Sequence, residues 1–124
     1  MPDVPTSNPE QFYQGAPVLS VSDVPATAAF YRKMLGFRSD PGAETPEYTV
    51  VWRDNAAVHL AQGSIAPAGV RIFFWVKDVN ALYEEVIARK VAIEVPIATR
   101  HYGIRDFSVR DPNGVEVVFG QDWD

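Results

Sequence analysis

The side chains that could do chemistry in this chain are few, and their types exclude several reaction classes. It has two histidines, His59 and His101, and no cysteine, so thiol catalysis and thiolate metal ligation are excluded. Ser108 is a candidate nucleophile, but neither histidine stands at a spacing that marks its general base. His59 has three interpretations: a cleft-lining histidine that bonds a neighbour, a polar contact to a ligand, or a lone general base.

Residues 70–77 alternate between apolar side chains and a set that combines aromatic rings with an arginine. The two sets are Ile72, Phe74 and Val76, and Arg71, Phe73 and Trp75. Successive side chains of a strand point to opposite faces, so the second set shares a face. Rigid rings with a few polar anchors suit a flat or amphipathic organic ligand. The alternative is that Phe73 and Trp75 only pack.

The same alternation in other predicted strands adds further side chains to the face that carries Arg71, Phe73 and Trp75, which we expect to line a ligand cleft. They are Val18 and Ser20, Trp52, His59, Asp106, Ser108 and Arg110, and Glu116 and Val118. Tyr102 and Arg105 are also candidate ligand contacts, beside a polar loop at residues 99–103. For these two the alternative is an ordinary exposed loop. A further alternative is that the arginines form structural ion pairs with Glu44, Glu47 or Glu116; these arginines are Arg53, Arg71, Arg105 and Arg110.

The elements that position these residues form a repeat. Val76 corresponds to Val21 and Asp78 to Asp23, and each pair is separated by 55 residues (76 − 21 and 78 − 23). Asp23 and Asp78 are typical helix N-caps, and Gly36 is a typical stop. A repeat of this length leaves room for two copies and little else, and the seam between them is a natural ligand cleft.

Each copy is predicted as strand, helix and three strands. The first covers about residues 16–62, with strands at 16–22, 37–40, 48–53 and 57–62. A linker follows at 63–69. The second copy covers about residues 70–120, with strands at 70–77, 91–95, 104–110 and 115–120, and Pro96 is expected to end the second of these. The turn Asp111-Pro112-Asn113-Gly114 predicts a hairpin before the last strand. The fold class is therefore α+β, two βαβββ modules in one domain of 124 residues.

The net charge and the distribution of apolar residues limit the classes of partner that this chain is expected to bind. The net charge is −5 and the pI about 4.9, which excludes nucleic acid as a default partner and favours a neutral or cationic small molecule. No run approaches the roughly 18 apolar residues of a membrane span. The polar, proline-rich start, residues 1–15, has no signal-peptide pattern. We expect a cytoplasmic protein without a membrane partner.

These features resemble the vicinal oxygen chelate superfamily, which includes glyoxalase I, extradiol dioxygenases, fosfomycin-resistance enzymes and bleomycin-resistance proteins. The segments that carry the resemblance are 21–24, Phe-Tyr-Arg-Lys-Met-Leu-Gly-Phe at 30–37, and 102–114, which ends in Asp-Pro-Asn-Gly. The segment Tyr-Gly-Ile-Arg-Asp-Phe at 102–107 is most similar to the bleomycin-resistance branch. The resemblance implies two βαβββ modules around a cleft; it does not fix the chemistry.

The resemblance also implies where a metal would be held in metal-using members. The four places correspond to Ala16, His59, Arg71 and Val118. Only His59 is a plausible ligand, whereas a divalent ion wants about three protein donors. An alternative set of both histidines with Glu116 requires a different register in the last strand. We therefore expect no metal and no other cofactor.

The predicted function is a metal-free small-molecule binding protein resembling bleomycin-resistance proteins, which sequesters an amphipathic or cationic aromatic compound. The resemblance suggests antibiotic resistance through capture of a bleomycin-type drug. The alternatives are a metal-dependent lyase or dioxygenase with an atypical ligand set, and a subunit whose aromatic face is an interface. Enzymatic activity is not expected. A homodimer is expected, with Phe12, Tyr13 and Trp123 at the interface, since a half-open sheet has edges to cover.

Overall fold

The first half of the chain forms one four-stranded sheet with a helix across it. The computed structural model describes residues 14–40, 42, 44–64 and 69–123. The elements of this half are β1 (Val18–Val21), α1 (Val24–Leu35), β2 (Arg38–Ser39), β3 (Tyr48–Arg53) and β4 (Ala56–Gln62). The strand order is β1-β4-β3-β2, with β1 parallel to β4 and the other pairs antiparallel.

The second half repeats this arrangement. Its elements are β5 (Arg71–Trp75), α2 (Val79–Ala88), β6 (Ile93–Thr99), β7 (Ile104–Arg110) and β8 (Glu116–Asp122). The strand order is β5-β8-β7-β6, with β5 parallel to β8. The predicted α+β fold of two βαβββ modules is confirmed.

Both helices begin as their sequences predict. The Asp23 carboxylate accepts a hydrogen bond from the Ala26 N–H at 3.0 Å, and Asp78 does the same for Ala81 at 3.0 Å. These bonds satisfy amide groups that have no partner inside the helix. Gly36 ends α1 with φ of 73°, a conformation that glycine adopts without the steric cost of a side chain.

Each sheet has one face packed against its helix and one face turned away from it, which we call the open face. The helix-facing side chains of both modules join in a single buried cluster that includes Leu19, Val51, Phe107 and Phe119. Val21, Val58 and Leu60 are fully buried on the same side. The two open faces therefore lie outside this shared core.

The turn after β7 ties the second module to α1. The Tyr31 hydroxyl donates to Asp111 Oδ2 at 3.0 Å, and both residues are buried. Asp111 Oδ1 accepts from the amides of Asn113 and Val115, which closes the turn. The Asn113 side chain in turn donates to the Thr27 hydroxyl at 3.0 Å. The Asp-Pro-Asn-Gly segment thus shapes its own hairpin and also fixes the position of the first helix.

A second join links the helix C-termini through charge. Arg53 donates two hydrogen bonds to the Glu85 carboxylate at 2.8 and 2.9 Å, and a third to the Leu35 carbonyl. Arg89 bonds the same carboxylate and also the Lys33 carbonyl. These contacts lower the pKa of Glu85, chiefly through the hydrogen bonds from Arg53, and the same contacts raise the pKa of Arg53.

Several predicted strand boundaries differ from the structure by one or two residues, and the end of β6 differs by four. Pro96 does not end its strand, because β6 runs on to Thr99 with register shifts on both sides of Val95. β6 is an edge strand, where a missing N–H costs no ladder bond. β8 also continues two residues past Gly120.

Phe12 and Tyr13 of the predicted arm and residues 65–68 of the predicted linker lie outside the described residues. In the part of the chain that is described, no helix is long and apolar enough to cross a membrane.

Candidate functional site

The open face of the second sheet carries an exposed aromatic pair. Phe73 and Trp75 are 41% and 62% exposed, and their rings meet edge to face with centroids 4.8 Å apart. Ile72 is buried and Phe74 packs against Phe37 and Phe119, so the predicted alternation of β5 is confirmed. Two large apolar side chains left next to each other in solvent are typical of a contact surface.

Gly120 makes room for this pair. It lies opposite Trp75 in the β5–β8 register, and a Cβ atom at this position would collide with the Phe73 ring. Glycine weakens a strand interior, and its use there often marks close approach of another group. The ring of Phe73 therefore lies across the neighbouring strand instead of standing free of the sheet.

A set of charged and polar side chains adjoins the aromatic pair on the same face. Glu116 is opposite Arg71 in register, and the Arg71 Nε lies 3.0 Å from Glu116 Oε1. The Ser108 hydroxyl donates to the other oxygen of Glu116 at 2.7 Å. The Glu116 side chain is only 13% exposed and the Arg71 side chain is 64% exposed. The carboxylate is thus enclosed, while the arginine remains in contact with solvent.

Asp106 forms a similar unit two residues along β7. Arg100 Nε donates to Asp106 Oδ1 at 2.8 Å, and the Tyr102 hydroxyl lies 3.4 Å from Oδ2. Arg100 also bonds the carbonyls of Asp106 and Pro96, so it holds the loop before β7 against the sheet. Both carboxylate units line one small cavity of about 120 Å³.

The open face of the first sheet carries a histidine–tyrosine pair. The Tyr48 hydroxyl is hydrogen-bonded to His59 Nδ1, and the two rings meet edge to face at 5.6 Å. Val18, 60% exposed, is opposite His59 in register. Trp52 lies on the same face, since it is opposite Ala57 and two residues from Val50, the partner of His59. His59 thus contacts a neighbour and also faces outward.

A groove of about 950 Å³ runs along the seam between the modules. Its wall is apolar where α2 and the core meet, with Phe37, Phe74 and Leu82 among the lining residues. Phe73 and Trp75 also line it, so the aromatic pair borders both the groove and the open face. The volume falls within the range of small-molecule sites.

Eight of the nine predicted ligand contacts lie on an open face or on the loop beside it, and Arg105 does not. Arg105 shares the parity of the buried residues Phe107 and Val109, so its side chain lies on the helix side of β7. There it donates to Asn80 Oδ1 at 2.8 Å and to the Thr99 hydroxyl, and it stacks over Trp123 at 5.3 Å. Its position in an alternating strand, not in the preceding loop, accounts for this difference.

Three residues that contribute to these surfaces were not predicted as contacts. The position of Tyr48 could have been predicted from the same alternation that places Trp52 on the open face. Gly120 was visible only as a glycine within a predicted strand, which signals a close approach. Arg100 had no local signal, because its role depends on how the loop folds back onto Asp106.

The residues at the places where metal-using members of the family hold their ion do not fit a divalent cation. Arg71 is paired with Glu116 and brings a fixed positive charge, and Val118 and Ala16 have no donor atom. Among the described residues, no three histidine, aspartate or glutamate side chains come together in a way that could hold a metal.

Comparison with known proteins agrees with the fold. A family model described as glyoxalase superfamily protein matches residues 4–124. The chain is 31% identical to the bleomycin-binding protein of bleomycin-producing Streptomyces verticillus, solved in complex with copper(II)-bleomycin. That match covers 88% of this chain and 95% of the other, with a TM-score of 0.75. No curated protein matches the chain.

Two enzymes share the fold at lower identity. A glyoxalase-related enzyme from Clostridium phytofermentans is 20% identical, with a TM-score of 0.75 and coverage of 92% of this chain and 98% of the other. A lactoylglutathione lyase from Agrobacterium tumefaciens is 18% identical, with a TM-score of 0.70 and coverage of 92% and 96%. The family model spans nearly the whole chain, so the chain belongs to the glyoxalase superfamily, the vicinal oxygen chelate superfamily that its sequence resembles.

Proposed function

We propose that this protein is a small-molecule binding protein that sequesters an amphipathic or cationic aromatic compound without chemical change. The observation that carries the proposal is the pair Phe73 and Trp75, exposed together between a polar cavity and an apolar groove. An aromatic group that packs against these rings gains roughly 0.5–1.5 kcal/mol for each ring pair beyond the area that is buried. The similarity to a bleomycin-binding protein supports the same class of function.

The polar groups around the pair favour binding over catalysis. The carboxylates of Glu116 and Asp106 are each engaged by an arginine and a hydroxyl. A general base must be aimed at a substrate proton, whereas each oxygen of these two carboxylates faces a donor of the protein. They are suited to orienting a ligand, as a few fixed polar groups do in most small-molecule sites.

We further propose a homodimer in which a second copy covers the open faces. Val18, Tyr48, Phe73 and Trp75 are all at least 40% exposed within the chain. The helix sides of both modules are already joined in one core, so the open faces have no cover from their own chain. A cleft between two such faces would enclose a ligand on two sides.

A thermal-shift screen tests the binding proposal. Amphipathic aromatic compounds, with copper(II)-bleomycin among them, should raise the melting temperature, because a ligand at 100 times its Kd adds about 2.7 kcal/mol to the free energy of unfolding. Trp75→Ala should remove the shift, and Lys33→Gln, which changes an exposed residue of α1, should preserve it. A shift that survives Trp75→Ala, or none with any compound, contradicts the proposal.

A further inference from the structure

The chemical character of one end of the ligand can be read from Arg71. Its side chain is 64% exposed, and its Nε lies 3.0 Å from Glu116 Oε1. Within the described residues its two terminal nitrogens, Nη1 and Nη2, make no hydrogen bond. These nitrogens carry four N–H donors in a planar fork, the geometry that matches a carboxylate, sulfonate or phosphate.

Glu116 favours an anion over a cation as the added group. Its Oε1 faces Arg71 and its Oε2 accepts from the Ser108 hydroxyl, so a ligand cation would have to displace Arg71 to reach it. A ligand anion displaces nothing, because it meets donors that are still free. Glu116 then acts as the group that orients the arginine, and Ser108 orients Glu116.

A second arginine stands on the other side of Glu116. Arg110 is opposite Glu116 in the β7–β8 register, so Arg71, Glu116 and Arg110 form a row across three strands. Arg110 is itself paired with Glu94 at 3.1 Å, on the outer strand of the sheet. The Arg110 Nη1 also donates to the Gly114 carbonyl, so Arg71 is the arginine of this row whose two terminal nitrogens both lack a hydrogen-bond partner among the described residues.

The spacing along β5 sets the distance between the acidic group and the rings. Arg71, Phe73 and Trp75 follow one another at every second residue, so each step is about 7 Å. A bound molecule that meets Arg71 and stacks on Phe73 carries its acidic group about one ring width from its aromatic system.

Building on the proposed function, and selecting its amphipathic over its cationic option, we infer that Arg71 anchors an acidic group of the bound aromatic molecule, so that the ligand class is an aromatic acid with a short spacing between ring and oxyanion. The oxyanion is bound by the terminal N–H groups of Arg71, and Phe73 and Trp75 receive the ring. A purely cationic aromatic ligand would lack this anchor.

Two fluorescent probes that differ by one acidic group test this inference. Anilinonaphthalene sulfonate carries a sulfonate, and N-phenylnaphthylamine has the same rings without it. Both are titrated into the native protein, Arg71→Gln, and Lys33→Gln, which removes an exposed positive charge from α1. Arg71→Gln should weaken sulfonate binding about tenfold and leave the neutral probe unchanged, the size expected for a charge-assisted hydrogen-bonded pair. Lys33→Gln should change neither.

Glu116→Gln decides the sign of the recognised charge. Glutamine keeps an oxygen that can accept from Arg71 and so preserves its orientation, but it removes the negative charge beside Arg71, so sulfonate affinity should hold or rise. A fall in sulfonate affinity with Glu116→Gln, or an equal effect of Arg71→Gln on both probes, overturns the inference. Melting temperatures of the variants, measured alongside, show whether a loss of binding is a loss of fold.

The same titrations separate the inference from the function on which it rests. If both probes bind and both need Trp75 but Arg71→Gln has no selective effect, the inference is wrong and the binding function stands. If neither probe binds the native protein, or Trp75→Ala leaves both affinities unchanged, the proposed function is wrong and the inference falls with it.

Discussion

Asp111 shows how one side chain can have two structural roles. One oxygen accepts two backbone amides and so closes the hairpin turn, a common use of aspartate in turns. The other oxygen accepts the Tyr31 hydroxyl from α1, eighty residues earlier in the chain. The first role was readable from the motif. The second depends on how the modules dock, which no local pattern encodes.

Tyr31→Phe should destabilise the protein by about 1–3 kcal/mol, because it leaves an oxygen of buried Asp111 without its donor. The pKa of Tyr31 is raised well above its usual value by burial, with further contributions from the charge and hydrogen bond of Asp111. The stabilising contribution is therefore full below about pH 10 and is lost as the pH rises through the folded-state pKa. Denaturant titrations at neutral and alkaline pH measure both effects.

Tyr83→Phe is the matched control for this prediction, since Tyr83 contacts Phe107 through its ring. It should cost less than Tyr31→Phe at neutral pH. Equal losses in the two variants would show that the Tyr31 hydroxyl contributes nothing specific.

Neighbouring residues of β5 should respond in opposite ways to truncation. Phe74→Ala removes a ring stacked on Phe119 and should cost about 3 kcal/mol of unfolding free energy. Trp75→Ala removes a ring that is 62% exposed and should cost less than about 1 kcal/mol, while it weakens ligand binding about tenfold. Urea titration and probe fluorescence measure the two quantities. The reverse order of stabilities would mean that the two faces have been exchanged.

Gly120→Ala tests whether the position of the Phe73 ring matters for binding. The added Cβ would collide with that ring, which would have to rotate off the sheet. Probe binding should fall while stability changes little, because Phe73 is 41% exposed and has room to move. Gly114→Ala serves as the comparison for a glycine with open space around it, although its φ of 83° adds backbone strain. Unchanged probe affinity in Gly120→Ala would contradict the role given to this ring.

At the scale of elements, the sequence predicted the strands and helices well where one signal dominated. β5 could be predicted because its apolar side alternates strictly, and α1 and α2 because each has an aspartate cap. The end of β6 could not be predicted correctly, because a proline would end a central strand but is tolerated in an edge strand such as β6. Whether a strand lies at an edge is a property of the whole sheet.

The hydrogen bonds of Arg53 and Arg89 to Glu85, which join the C-terminal ends of the two helices, should make the free energy of unfolding sensitive to acid. Hydrogen bonds from Arg53, and then from Arg89, lower the pKa of Glu85. The contribution to stability is present above the usual carboxylate range near pH 4.3 and is lost as the pH falls through the lowered value. Glu85→Gln should therefore be less stable than the native protein at pH 7, with a gap that narrows toward pH 3 in thermal melts.

Glu84→Gln is the control for Glu85→Gln, because Glu84 is exposed on the same turn of α2. It should show little difference from the native protein at any pH. If the difference in melting temperature between Glu85→Gln and the native protein did not depend on pH, the loss of stability would come from packing and not from charge.

At the scale of the whole molecule, the sequence indicated a cleft but could not say which surfaces form it. Period-two alternation placed Trp52, His59, Phe73 and Trp75 on the faces opposite the helices. The joins through Tyr31, Asp111, Arg53 and Glu85 show that the helix sides of the two modules close on each other within the chain. Their geometry comes from packing over long sequence separations, so repeat and motif alone leave it open.

The last prediction follows from these joins: a ligand cleft built from the first sheet of one protomer and the second sheet of its partner. Light scattering at micromolar concentration should give the mass of a dimer. Trp52→Ala, on the first open face, and Trp75→Ala, on the second, should each weaken probe binding. When the two variants are unfolded, mixed and refolded together, heterodimers should regain binding, because one of their two clefts then contains both tryptophans. A cleft within one chain would leave a defect in every site, so the mixture would bind no better than either variant. A monomer that persists on concentration would contradict the shared cleft directly.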